Sequence, residues 1–167
     1  MLTKRTIIIL VNLVLVLVIF NLSVVEKEEV LEKGELVLLE LAPVDPRSLM
    51  QGDYMRLSYA ISQAADLEKI PNRGYAVVKL DEQQVAQLVR YQKEKSPLNS
   101  GEYLLKYTKG EWSINLGAES YFFEEGQAII FEEAKYGGLR VDEQGNSILV
   151  GLYDEQRQLI QPVGKNN

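Results

Sequence analysis

The chain has 167 residues, enough for one domain of ordinary size and short of two comfortable ones. Acidic residues outnumber basic ones 24 to 18, and setting aside Lys4 and Arg5 leaves 16 basic against 24 acidic residues, a balance that nucleic acid phosphates repel, so nucleic acid is not expected as a partner. There is no His and no Cys, which excludes Ser-His-Asp and Cys-His nucleophilic mechanisms, thiol redox chemistry and zinc sites built from either residue, while a hard cation held by carboxylates stays open.

Residues 1–5 read as a cytoplasmic N-terminus. Thr6 to Val25, TIIILVNLVLVLVIFNLSVV, is uncharged and has the length a helix needs to cross about 30 Å of hydrocarbon. Lys4 and Arg5 stand before it, and Glu26, Glu28 and Glu29 after it. Basic flanks stay inside, so the expectation is a single-pass anchor with the body of the protein outside a bacterial cytoplasmic membrane. A cleaved signal peptide would show a shorter apolar core and a small-x-small site, whereas Asn-Leu-Ser-Val-Val-Glu follows Phe20. A buried core helix would find no partner for so much apolar surface in so small a domain. Asn12 offers a polar group for joining helices within a membrane, though a lone Asn is more often simply tolerated.

Residues 26–34 read as an extension of the helix or a juxtamembrane linker, and 35–160 as the extracytoplasmic domain. Glu35 to Leu41 is a strand apolar on both faces. Pro43 and Pro46 break the next segment, with Asp45-Pro46 suited to capping a helical turn. Gly52-Asp53 reads as a turn. Tyr54 to Ile61 then alternates as a strand, with Met55, Leu57, Tyr59 and Ile61 on one face. Tyr75 to Leu80 is a strand. Asp81 to about Glu94 reads as a helix, with Asp81 and Gln84 resembling a capping box and Val85, Leu88, Val89 and Gln92 at helical spacing. Short strands follow around Tyr103–Tyr107, Trp112–Ile114 and Ser120–Phe123. Gly126 to Tyr136 suggests a short helix stopped by Gly137-Gly138. Leu139–Val141 and Ile148–Tyr153 form a hairpin across residues 142–146. Residues 161–167 are a polar tail expected to fray. The sum is an α+β protein: an N-terminal transmembrane helix, then one strand-rich, mostly antiparallel domain of seven to nine strands with one clear helix.

Gly52-Asp53-Tyr54-Met55-Arg56-Leu57-Ser58-Tyr59 matches G-D-Y-x-x-L-x-Y and resembles the GDYXXLXY family of bacterial membrane-anchored proteins. The string Pro43 to Leu49, the Tyr121–Gly126 segment, the Ala134–Gly137 segment and Gly145 to Leu152 fit the same resemblance, which spans about Leu36 to Tyr153. The resemblance implies no known activity. Members often sit beside genes for polytopic membrane proteins, which implies a polytopic membrane partner rather than a reaction.

The motif residues Gly52, Asp53, Tyr54, Leu57 and Tyr59 admit two readings. In the first, Asp45, Arg47, Asp53, Tyr54 and Tyr59 line a ligand groove in which the planar fork of Arg47 clamps an anion. In the second, Asp45 caps a turn, Arg47 pairs with Asp45 or Asp53, Gly52-Asp53 shapes a turn, and Leu57 and Tyr59 pack in the core. Glu124, Glu125, Glu132 and Glu133 lack the ligand spacing of a calcium loop and read as a solvated face. Ser48 with Lys79 is a remote analogue of a Ser-Lys hydrolase, which would need a desolvated lysine beside the nucleophile. Tyr103, Tyr107, Trp112, Tyr121, Phe122 and Phe123 supply either a recognition surface or the core of a small β-rich domain. The functional expectation is a non-enzymatic ectodomain, without cofactor or metal, that binds or assembles with a polytopic membrane protein. The alternative is a ligand-sensing domain acting through such a partner.

Overall fold

The structure, a computed structural model, describes residues 3–42 and 54–162. The first helix, α1, spans Lys4–Lys33, 30 residues or about 45 Å at 1.5 Å each. Thr3 caps it, its hydroxyl accepting from the Thr6 amide. The side chains of the apolar run are exposed, so this helix is long and apolar enough to cross a membrane and buries none of that run against the domain. Asn12 and Asn21 donate to the carbonyls of Ile8 and Leu17 one turn back, which satisfies both amides within the helix itself.

The charged stretch after the apolar run is helix, not a flexible linker. α1 continues to Lys33, and Gly34 donates to the Val30 carbonyl before the chain turns straight into β1 (Glu35–Glu40). A Cβ on Gly34 would lie 2.4 Å from the Val30 carbonyl oxygen and 3.0 Å from the Val141 nitrogen, so the tight junction leaves no space for a side chain. Val30 is buried, and Arg140 donates to the Gly34 carbonyl at 3.0 Å, fastening the helix end to the sheet.

The remaining elements are β2 (Tyr54–Arg56), α2 (Ala60–Gln63), β3 (Arg73–Leu80), β4 (Ala86–Gln92), β5 (Glu102–Lys109), β6 (Ile114–Asn115), β7 (Ser120–Phe122), α3 (Ala128–Phe131), β8 (Tyr136–Val141) and β9 (Ser147–Tyr153). They make three antiparallel sheets, ordered β1-β8-β9, β2-β7 and β4-β3-β5-β6. Isolated bridges Leu38–Val85 and Leu41–Tyr59 tie β1 to the third sheet and to the motif segment. One core joins the sheets: Val37 and Leu39 from β1, Ala76 and Val78 from β3, Leu105 and Tyr107 from β5, and Leu139 and Leu152 from the β8-β9 hairpin. Nine strands and few helical turns among the described residues are the α+β, mostly antiparallel architecture expected.

Residues 81–94 are not a helix. Asp81 Oδ1 accepts from the amides of Gln83 (2.8 Å) and Val85 (3.0 Å), Gln84 takes a positive φ of 62°, and the chain returns as β4 antiparallel to β3. An Asx turn and a helix N-cap use the same residue types, so the capping signal did not discriminate. The false helical spacing comes from a bulge: Val78 pairs with Leu88 but Val77 with Arg90, leaving Val89 unpaired and exposed. One extra residue breaks the alternation of a strand and mimics a longer period. The motif strand is also shorter than expected, since Ala60–Gln63 turns helical, although Ile61 stays buried. At the other end Leu159 bridges Tyr153 and Ile160 donates to Leu152, so the chain is docked as far as Ile160.

Candidate functional site

The described part of the motif forms a two-stranded ribbon at the end of β1 remote from α1. Tyr54 pairs with Phe122, Met55 with Tyr121 and Arg56 with Ser120. Burial alternates from Tyr54 to Tyr59 as the pleat requires: Met55, Leu57 and Tyr59 are buried, while Tyr54 and Ser58 are half-buried and Arg56 is exposed. The Leu57 amide donates to the Glu119 carbonyl at 2.7 Å and the Ala42 amide to Ser58 at 2.8 Å, so backbone bonds hold the segment beyond β2.

Tyr59 is fully buried, and its hydroxyl donates to the Ala118 carbonyl at 2.5 Å. Burial, with the nearby Glu119 charge second, pushes its phenol far above the ordinary range, so it stays protonated as a donor. The ring fits because residue 137 is glycine: a Cβ there would stand 2.9 Å from Tyr59 Cε1. Glu119 in turn accepts from the amides of Leu116 and Gly117, fixing the turn that carries Ala118. Leu57 and Tyr59 are thus core residues, as the structural reading had it. Gly52, Asp53, Asp45 and Arg47 lie outside the described residues, as does Ser48.

The outward face of the ribbon is aromatic. Tyr54 and Phe122 lie with ring centroids 5.7 Å apart, and Phe122 is 73 % exposed. Tyr121 and Phe123 instead pack on buried Phe131, at 5.0 and 5.7 Å between centroids. Ile129, two residues before Phe131, is 74 % exposed. The six aromatics therefore divide. Tyr107 is core, Tyr103, Tyr121 and Phe123 pack against it, and Phe122 and Trp112 stand in solvent.

Lys79 is exposed on the outer face of β3, so it lacks the desolvation a Ser-Lys mechanism requires. Among the described residues no three carboxylates come together to hold a metal ion.

Sequence reasoning missed two features of the third sheet. The first is a clasp. Arg90 donates to both carboxylate oxygens of buried Glu102 at 2.8 Å each, and to the Pro97 carbonyl. Asn99 donates to the same carboxylate through its side chain and amide. The Arg90 hydrogen bonds, followed by those from Asn99, hold the Glu102 carboxyl down at about 2. The second is a cleft of about 400 Å³ on the far side of β3, β5 and β6, lined by Arg73, Tyr75, Lys93, Lys106, Tyr107 and Asn115 among others. No local sequence pattern marked it, because β3, β5 and the end of β4 contribute one cation each and only register brings them together.

Together these features define a class: an antiparallel α+β domain joined without a break to an N-terminal helix long enough to cross a membrane, with an exposed aromatic ribbon at the remote end of its first strand. The sequence model of the GDYXXLXY protein family matches residues 16–152, most of the chain, and the chain belongs to that family. No curated protein and no solved structure matches it.

Proposed function

We propose that the chain is a single-pass anchored, extracytoplasmic assembly domain whose motif ribbon docks on a polytopic membrane protein. The observation that carries the reading is the Tyr54–Phe122 pair. A small acidic domain presents an exposed aromatic, Phe122, on β7 against half-buried Tyr54 of the motif strand, and the motif's own Leu57 and Tyr59 fix that strand from behind. An aromatic as exposed as Phe122 favours recognition, since it offers large contact area at low entropic cost. The unbroken α1–β1 junction supports the same reading, because a domain fixed to its anchor presents one face to a neighbour in the same membrane. Lys4 and Arg5 ahead of the apolar run favour a cytoplasmic N-terminus and an external domain.

The test is affinity purification of the full chain in mild detergent at native expression. Wild type should recover one polytopic membrane protein in near-stoichiometric amount, and Phe122→Ser should lose it while melting as wild type does. Recovery of the chain alone, or equal recovery by Phe122→Ser, would refute docking by the ribbon.

A further inference from the structure

The cleft of the third sheet stands out by charge. Arg73 begins β3, Lys106 lies on β5 opposite Tyr75, and Lys93 follows the end of β4. Cross-strand register puts Arg73, Thr108 and Asn115 on one face together with Tyr75 and Lys106. Arg73 and Lys93 make no ion pair and no side-chain hydrogen bond among the described residues, and Lys106 is held by the neutral amide of Asn146. Three cations converging without a carboxylate are unexpected where acidic residues prevail 24 to 18. Two nearby carboxylates are engaged elsewhere: Glu119 accepts from the Leu116 and Gly117 amides, and Asp142 from the Gln144 and Asn146 amides and the Asn146 side chain. Arg73 offers a planar fork suited to two oxygens, the lysines offer point charges, and Thr108 and Asn115 add neutral hydrogen-bonding groups. The half-buried Tyr75, opposite Lys106, gives the cleft an apolar wall as well.

We propose that this cleft is a binding site for a phosphate ester, with Arg73, Lys93 and Lys106 on the phosphate and the Tyr75 ring against its organic part. Its place in the fold suits either a free ester or a phospholipid headgroup. The Lys106 amide donates at 2.9 Å to Gly145 in the β8-β9 turn, and that turn follows Val141, the residue against which the end of α1 is packed. With the apolar run ending at Val25, α1 continues eight more residues to Lys33, about 12 Å. That stand-off sets the α1 end of the domain a few ångströms beyond the headgroup layer, which is about 5–8 Å deep on each side. The cleft borders the turn of residues 116–119 that holds the motif segment, but its lining takes no residue from β2 or β7 and it does not depend on a protein partner.

The experiment titrates full-length protein in non-ionic detergent with sodium glycerol 3-phosphate at constant ionic strength, by calorimetry. In parallel, binding of glycerol 3-phosphate is measured in nanodiscs of phosphatidylcholine with and without phosphatidylglycerol. Wild type should bind the soluble ester, with Arg73→Gln and Lys93→Gln each weakening it about tenfold or more, the scale of one charge-assisted hydrogen bond. Lys135→Gln, an exposed cation elsewhere, should bind within twofold of wild type. Competition by phosphatidylglycerol, lost in Arg73→Gln, identifies a headgroup as the occupant; binding unaffected by the lipid identifies a free ester. No binding in either format, or equal weakening by Lys135→Gln, overturns the proposal. The variants' melting temperatures without ligand should match wild type, because Arg73 and Lys93 hold nothing in the fold.

Discussion

Tyr59→Phe isolates what the last motif position does. The ring stays, so no cavity opens, and one donor is removed from a fully buried site. The Ala118 carbonyl, on a residue only 4 % exposed, then loses the hydroxyl that meets it at 2.5 Å. A buried acceptor left unsatisfied costs about 1–3 kcal/mol. For a domain of this size that corresponds to a fall in melting temperature on the order of 3–15 °C. The assay is thermal unfolding of the full chain in mild detergent, followed by near-ultraviolet circular dichroism. The Tyr59 phenol stays protonated, so the difference should hold steady from about pH 6 to 9. A variant that melts within a degree of wild type yet fails to recover a partner would show that Tyr59 serves binding and that its placement as a core strut is mistaken.

Leu57→Ala, at a 4 % exposed site, should destabilise the domain by about 2–5 kcal/mol in the same assay, and a wild-type melt would contradict its burial. Glu102→Gln tests the clasp through pH. The folded carboxyl sits at about 2 against an ordinary 4.5, so its contribution is complete above about pH 5 and is lost as pH falls toward 2. The variant should therefore melt below wild type at pH 7, with the gap closing as the medium is acidified, and a gap that persists at pH 2 would refute the ion pair as its cause. Topology is open to cysteine labelling because the chain has no native Cys. Trp112→Cys, at an 85 % exposed position, should react with a membrane-impermeant maleimide in intact cells, whereas Lys4→Cys should react only after lysis, and the reverse pattern would invert the proposed orientation.

Much of the fold was legible from local pattern. Met55, Leu57 and Tyr59 followed from alternation, β1 from a short run apolar on both faces, and the β8-β9 hairpin from turn residues between two apolar segments. The sequence reading failed at β4, where a single bulged residue, Val89, shifts the phase and Asp81 serves a turn as readily as a helix cap. It failed also to divide the aromatics, because nothing local distinguishes Tyr121, whose ring meets Phe131, from Phe122 on the other side of the same strand. The cleft was invisible for a related reason. Arg73, Lys93 and Lys106 come from three different strands or their ends, and only register brings them together.

Contact between the ribbon beside the motif and a polytopic membrane protein can be trapped in cells by a photo-cross-linking amino acid placed at Phe122, with the same residue at Lys135 as the comparison site. One discrete adduct with a polytopic membrane protein is expected at position 122 and none at 135. The absence of any adduct at 122, or the same adduct at both positions, would contradict it.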